Sequence, residues 1–296
     1  MTRPISQHVF PVTPYEAAWR WQQATAAAVR GGDREALALL QHPPVYTFGR
    51  RVRPEHLLVP PDVLNARGAK VIETDRGGDV TFHGLGQLVA YPILDLRRRG
   101  LGPTEYVRRL EEVLLRTLST FDVDAWRSPG RPGVWTGLGK IAAIGVRIEG
   151  GVSLHGFALN VDVDLAWFDA IVPCGLPDTN VTSMAEVLGA SPGIEAVTKA
   201  AVQQFATVFD APTYAAERTG DPMVTTCSCC CAASTKKERK GIAEGTPLRL
   251  PVGRPAAACT SASARRHETY FLDDGQFGDE RRFIPAGIME VVPYAR

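Results

Sequence analysis

Two apolar runs separated by a pair of glycines constrain the fold more than any other feature of this chain. The runs read IAAIGVRI, starting at Ile141, and VSLHGFALNV, starting at Val152. Apolar runs of this kind are typical of β-strands, and the intervening Gly150-Gly151 is typical of a hairpin turn. The segment therefore predicts two paired strands of a sheet, with any reactive groups on the loops at their ends.

Two chemically reactive side chains flank this hairpin. Lys140 directly precedes the first run, and Cys174 is the only cysteine among the first 226 residues. A nearby cation lowers the pKa of a thiol and so favours the thiolate, which is the nucleophilic form of cysteine. Taken alone, the same two residues also fit a small buried hydrophobe and a solvated lysine at a strand end.

The rest of the pattern mixes helices with strands. Helical spacing and helix-forming composition predict helices at 15–30, 34–41, 60–68, 101–120 and 193–210, and a short one from Thr182. β-Branched and aromatic runs predict strands at 45–48, at 70–73 and on both sides of a bend at Gly84 and Gly86. Because hairpins replace strict βαβ alternation, we expect an α+β fold, in which helices pack on a mixed, largely antiparallel sheet.

The charge balance gives no reason to expect nucleic acid or a membrane surface as a partner. The net charge is +1, and the apolar content of 45% is that of an ordinary globular protein. The first residues lack the apolar core of a signal peptide, and no run of about 18 apolar residues follows. We therefore expect a cytoplasmic location.

The composition changes from about Thr213 onward, where Pro, Gly, Ser, Thr and Arg become frequent. We predict a catalytic domain over residues 1–212 and an extension of unknown role, partly disordered, over residues 213–296. The extension contains Cys227 and the run from Cys229 to Cys231. These cysteines lack the paired CxxC spacing of a zinc site, so no metal is predicted.

Four motifs occur in a fixed order along the chain. The first is HPPVYTFGR from His42, and the second is RGGDVTFHGLGQLVAYPILDL from Arg76. The third is GLGKIAAIGVRI followed by HGFALNV, and the fourth is IVPCGLPDTNVTSM from Ile171. Together they resemble the octanoyltransferase family, LipB, over roughly residues 10–210.

The resemblance implies a fold, a reaction and two partners. It implies the biotin/lipoate protein ligase catalytic fold. It also implies the activity of an octanoyl-[acyl carrier protein]:protein N-octanoyltransferase, which catalyses the first step of lipoate biosynthesis without a cofactor. The donor is octanoyl-acyl carrier protein. The acceptors are lysines on the lipoyl domains of 2-oxoacid dehydrogenase complexes and on the glycine cleavage H protein.

The resemblance also implies site residues. Cys174 matches the family's acyl-thioester nucleophile, and Lys140 matches its catalytic lysine. The residues matching the substrate site are Arg76, Gly77, Gly78, Asp79, Val80, Thr81, Phe82, His83, Ala143, Ile144, Gly145, Gly156, Phe157 and Ala158. The developing oxyanion needs hydrogen-bond donors. Two alternatives stay open for them: backbone amides near Gly77 and Gly78, or those next to Cys174.

Three other functions fit parts of the same sequence. A lipoate or biotin ligase shares the fold but consumes ATP. A Cys-His hydrolase, with His83 or His155 as its base, releases free fatty acid instead of needing an acceptor amine. An acyl-protein binding module needs no reactive cysteine. The glycines after Arg76 lack the spacing of a Walker phosphate loop.

Two arginine clusters follow the first two motifs. Arg50, Arg51 and Arg53 follow the first, and the run from Arg97 to Arg99 follows the second. Either cluster fits a solvated basic loop or a contact for an acidic carrier protein.

Overall fold

The computed structural model describes residues 4–172 and 180–216. The predictions made for Cys174 and for the extension from residue 217 onward lie outside these ranges. The described helices are α1 Tyr15–Arg30, α2 Pro61–Ala66, α3 Pro103–Ser119, α4 Met184–Leu188 and α5 Ile194–Val208, with 3₁₀ turns at Pro54–His56 and Leu165–Ala170. The described strands are β1 Ile5–Val9, β2 Ala36–Leu40, β3 Val45–Phe48, β4 Lys70–Glu73, β5 Val80–His83, β6 Gln87–Ile93, β7 Trp126–Ser128, β8 Arg131–Thr136, β9 Gly139–Glu149, β10 Val152–Asn160 and β11 Thr213–Ala215.

The strands form two sheets. The larger has eight strands in the order β11-β1-β2-β6-β10-β9-β8-β7, and the smaller has three in the order β4-β3-β5. In the larger sheet β1 runs parallel to both β11 and β2, and the other neighbours are antiparallel. The predicted α+β fold with a mixed, largely antiparallel sheet is confirmed, and so is the hairpin of β9 and β10.

Helices cover both faces of the large sheet, as alternation along β2 makes clear. Leu37 and Leu39 pack in the core that contains residues of α3 and α5, whereas Ala38 and Leu40 pack in the core that contains residues of α1. Strands buried on both faces carry nearly continuous apolar sequence, as β2 and β6 do. Within the described ranges, no helix is long and apolar enough to cross a membrane.

The helix predicted at 34–41 is wrong, because this segment forms β2. Alanine and leucine are good helix formers, and a short apolar run does not separate a buried strand from a buried helix. All five residues of β2 are buried, and the strand lies between β1 and β6 in the sheet. Burial on both faces and pairing on both edges therefore outweigh the local helix propensity.

The large sheet extends slightly beyond the predicted domain boundary. β11 begins at Thr213, pairs in parallel with β1 and adds three residues to the edge of the sheet. The strand at the end of the described chain thus belongs to the same sheet as Lys140 on β9.

Candidate active site

A cavity of about 550 Å³ lies over strands β6, β9 and β10 and under the loop that precedes β5. It brings together segments that are far apart in sequence, from α1 to β10. The predicted site residues that line it are Arg76, Gly77, Gly78, Asp79, Val80, Thr81, His83, Lys140, Ala143, Ile144, Gly145, Gly156, Phe157 and Ala158. Phe82 instead packs in a core cluster with Tyr46 and Phe168.

Four small residues form one side of the cavity, which we call the floor. Ala143 lies directly opposite Ala158 on the paired strands β9 and β10, and Gly145 lies directly opposite Gly156. A Cβ atom on Gly156 would come within 2.2 Å of the Ala90 carbonyl oxygen, so this glycine is required by close backbone packing. The alanines leave room where larger side chains would fill the cavity.

The loop from Arg76 to Asp79 forms the wall above the floor and is fixed by hydrogen bonds. The buried Arg76 guanidinium donates from Nε to Thr47 Oγ1 at 3.1 Å and from Nη2 to the Asp79 carbonyl at 2.7 Å. The Gly77 amide donates to the Val146 carbonyl at 3.0 Å, so it is engaged within the protein. Gly78 has a φ of 90°, and among the described residues its amide has no such acceptor.

Lys140 is buried, with 6% of its surface exposed, and its main chain is held on both sides. Its amide donates to the Asn180 carbonyl at 2.8 Å, and its carbonyl accepts from the Thr182 amide at 3.0 Å. The side-chain Nζ lies 5.4 Å from the centre of the Trp135 ring, whose face attracts an ammonium group. The strand therefore presents a positioned lysine to the cavity.

A chain of buried hydrogen bonds connects the segment paired with Lys140 to a histidine that lines the cavity. The Thr182 carbonyl accepts from Asn160 Nδ2 at 2.9 Å, and Asn160 Oδ1 accepts from Gln87 Nε2 at 2.9 Å. Gln87 Oε1 in turn lies 2.7 Å from Nδ1 of His83. Because Gln87 Nε2 is the donor to Asn160, its Oε1 faces His83 and accepts from it. His83 therefore carries its proton on Nδ1.

Five aromatic and imidazole rings form a cluster that we call the polar wall. They are Tyr15, His42, His83, Tyr91 and His155, and neighbouring rings lie 5.2 to 6.3 Å apart. Four of them line the cavity, whereas His42 packs against three of these rings without lining it. Burial raises the pKa of Tyr15 to about 12 and raises that of Tyr91 well above its usual value. Burial also lowers the pKa of each of the three histidines, so the polar wall is uncharged at neutral pH.

Two hydrogen bonds hold the His42 ring in place. His42 Nδ1 donates to the Thr13 carbonyl at 2.6 Å, and its Nε2 accepts from the Tyr91 hydroxyl at 2.7 Å. Burial lowers the pKa of His42 to about 4. The ring is therefore neutral, and its tautomer follows from the carbonyl that it faces.

His155 links the polar wall to a half-buried carboxylate. Its Nε2 lies 2.6 Å from Asp75 Oδ1, and its Nδ1 lies 3.4 Å from the Tyr15 hydroxyl. Burial alone would raise the pKa of Asp75, but hydrogen bonding and charge from His155 and Arg147 lower it more. Burial lowers the pKa of His155, and the carboxylate offsets this only in part. His155 has a φ of 56°, a left-handed conformation held in part by its amide's bond to Gln22.

Sequence reasoning did not predict Tyr15 and Tyr91, which line the cavity, or His42 and Asp75, which bond to rings that line it. They come from separate parts of the chain, and only the folded sheet brings them together. A signal was nevertheless present, because His42 begins the first motif and Tyr91 lies inside the second.

The chain is similar to a known family over most of the described residues. The profile of the lipoyl protein ligase A/B catalytic domain matches residues 14–206. An octanoyltransferase of Chloroflexus aurantiacus is 46% identical over 211 residues, covering 70% of this chain and 95% of the relative. An octanoyltransferase of Mycobacterium marinum is 46% identical over 205 residues, covering 66% of this chain and 84% of the relative.

Solved structures of more distant sequence share the fold. A bi-partite lipoate protein ligase from Thermoplasma acidophilum superposes with a TM-score of 0.61 at 17% identity, covering 72% of this chain and 87% of that one. Lipoate-protein ligase A bound with ATP superposes with a TM-score of 0.59 at 16% identity, covering 73% and 89%. Both agree with the α+β architecture described above.

Proposed function

Because the chain belongs to the lipoyl protein ligase A/B catalytic domain family, as one of its octanoyltransferases, we propose that it works through an acyl-thioester on Cys174. The donor in this proposal is octanoyl-acyl carrier protein, and the acceptor is a lysine of a lipoyl domain or of the glycine cleavage H protein. The observation that carries the proposal is a cavity with a floor of small residues beside a buried lysine.

The floor suits an unbranched alkyl chain. Ala143 and Ala158 offer apolar surface without filling the cavity, and the volume of about 550 Å³ lies in the range of small-molecule sites. Burying an alkyl chain stabilises the complex by about 0.8 kcal/mol per methylene, so an octanoyl group contributes several kcal/mol without a polar contact.

The first proposed step transfers the acyl group to the enzyme. The Cys174 thiolate attacks the thioester carbonyl, a new C–S bond forms and the bond to the carrier sulfur breaks. The carrier leaves as a thiol after it takes up a proton from the ammonium group of Lys140, which leaves Lys140 neutral. The Gly78 amide is the proposed oxyanion donor in this loop, since the Gly77 amide already donates to Val146.

The second proposed step transfers the acyl group to the acceptor. The acceptor amine arrives protonated, because free lysine has a pKa of about 10.4, so a base must take a proton before attack. Lys140 is the proposed base. The amine then forms the amide bond, the C–S bond to Cys174 breaks, and the thiolate is regenerated as the acceptor loses its second proton to solvent.

Intact-mass spectrometry tests this proposal. Mixed with octanoyl-acyl carrier protein, the wild-type protein should gain one octanoyl group that maps to Cys174, and adding a lipoyl domain should remove it without ATP. Cys174→Ala should gain none, and Cys174→Ser should react very slowly, because an alcohol has no accessible anion near neutral pH. Wild-type transfer rates in Cys174→Ala would overturn the covalent route, and dependence on ATP would indicate a ligase.

Substitutions of Lys140 test the base separately. Lys140→Ala should reduce the transfer rate by about 100-fold or more, because proton transfer by a positioned group contributes at least that factor. Lys140→Arg should not restore activity, since arginine stays protonated. Lys199→Ala, at an exposed position of α5, is the matched control and should keep the wild-type rate. Full activity in Lys140→Arg would show that only positive charge is needed.

A further inference from the structure

The mouth of the cavity carries arginines on two separate segments. Arg51 and Arg53 follow β3 on one side, and Arg131 begins β8 on the other. All three side chains line the cavity and are exposed. We call these three residues the arginine rim.

The segment that carries Arg51 is held in place by the cavity wall itself. The amides of Gly49, Arg50 and Arg51 donate to the carbonyls of Asp79, Arg76 and Gly78 at 3.0 to 3.2 Å. Arg131 lies over the Trp135 ring, with its guanidinium carbon 5.8 Å from the ring centre. The backbone that carries Arg51 is therefore positioned by the same loop that forms the wall of the proposed acyl site.

One carboxylate lies near the arginine rim, but it forms no ion pair with a rim side chain. This carboxylate, Asp79, accepts from the amides of Val80 at 2.7 Å and Arg53 at 3.4 Å, and His56 Nδ1 lies 2.5 Å from it. The ion pairs within the described residues involve none of the three rim arginines. With a net charge of only +1 for the whole chain, the rim is a local concentration of positive charge.

The second arginine cluster differs in both respects. Arg98 pairs with Asp95 at 2.9 Å, and Arg99 pairs with Glu35. Neither residue lines the cavity, as far as the described residues define it. The two clusters look alike in sequence, but only the first has arginine side chains that line the cavity and are in no ion pair with a described residue.

We propose that the arginine rim is a docking surface for the acidic face of the carrier protein that delivers the acyl thioester, an inference that rests on the proposed function. A single phosphodiester is bound by one bidentate arginine, whereas three arginines on two segments match an array of carboxylates. Clustered charge at the mouth steers an oppositely charged protein toward the site and raises its association rate.

Charge reversal with three donors tests the proposal. The variant is Arg51→Glu combined with Arg53→Glu, and the donors are octanoyl-acyl carrier protein, octanoyl-coenzyme A and the octanoyl thioester of N-acetylcysteamine. We expect kcat/KM for the protein donor to fall at least tenfold through KM, with the two small donors unchanged. The loss should shrink with added salt, because the Debye length falls from about 10 Å at 0.1 M to about 3 Å at 1 M.

A matched control makes the same change of charge elsewhere. Arg97→Glu combined with Arg98→Glu alters two exposed arginines of the second cluster and should leave all three donors unaffected. Arg131→Glu should repeat the donor-selective loss from the other side of the mouth. Activity with the N-acetylcysteamine donor also confirms that each variant is folded.

Each remaining outcome overturns the docking proposal. An equal loss with all three donors means that the rim supports the site itself. A loss shared with coenzyme A, but not with N-acetylcysteamine, assigns the rim to a phosphate. No loss with the protein donor removes its role altogether. Failure of the wild-type protein to transfer from any donor would instead reject the proposed function.

Discussion

The floor and four rings of the polar wall line the same cavity, but the two surfaces are built in different ways. The floor consists of four small residues on one hairpin, and direct cross-strand pairing places them side by side. The polar wall takes its five rings from α1, the segment before β3, β5, β6 and β10. One surface follows from local pairing, whereas the other depends on the assembly of the whole sheet.

This difference also appears in the cost of burial. Small apolar residues are buried without needing partners, whereas a buried polar group must find a hydrogen bond. Every histidine of the polar wall has such a bond, and each is kept neutral. We infer that the floor sets the shape of the site and is insensitive to pH, while the wall ties the stability of the site to pH.

The largest effect should come from enlarging the floor where backbone packs on it. Gly156→Ala would place a Cβ atom 2.2 Å from the Ala90 carbonyl oxygen, an overlap that only a backbone shift relieves. We expect the free energy of unfolding to fall by about 3 kcal/mol, measured by urea denaturation.

The control for this change is Gly137→Ala in the turn between β8 and β9, where an added Cβ meets no atom within 4 Å. Its unfolding free energy should stay within about 0.5 kcal/mol of the wild type. Equal stability of the two variants would mean that the floor tolerates bulk and that its small residues are not required by packing.

The second effect concerns acid stability, which the polar wall should control. His42 has a folded pKa of about 4, below the value of 6.5 for a free histidine. Between these two values the unfolded chain binds the proton more readily, so stability is full above pH 6.5 and falls as the pH drops toward 4. One group shifted this far accounts for up to about 3 kcal/mol, measured as unfolding free energy against pH.

His42→Gln separates this titration from the loss of hydrogen bonds. A glutamine amide can donate to the Thr13 carbonyl and accept from the Tyr91 hydroxyl, the two contacts that His42 makes. We expect this variant to lose less stability than the wild type between pH 6.5 and 4. An unchanged pH profile would show that His42 does not carry the acid sensitivity of the wall.

The same contrast explains what could be predicted from the sequence. The hairpin, its glycine turn and the floor residues follow from local pattern and from the family motifs, which the described structure bears out for the fold. The helix predicted at 34–41 was wrong because burial between two strands overrides the preferences of alanine and leucine. The polar wall was not predicted, because Tyr15 and Asp75 carry no local sign that they will meet His155.

The smallest effect should come from enlarging the floor where it faces the cavity. Ala158→Val adds two carbons beside Ala143 without meeting the constraint that fixes Gly156, so it should shorten the space for an alkyl chain. We expect kcat/KM for an octanoyl donor to fall about tenfold relative to a hexanoyl donor, the discrimination that one or two methylenes provide in an apolar pocket.

Tyr91→Phe is the matched change on the polar wall, since it removes a hydroxyl and leaves the ring. It should keep the wild-type ratio of kcat/KM values for the two donors. If Tyr91→Phe shifts that ratio and Ala158→Val does not, the acyl chain lies against the wall, and the roles assigned to the two surfaces must be exchanged.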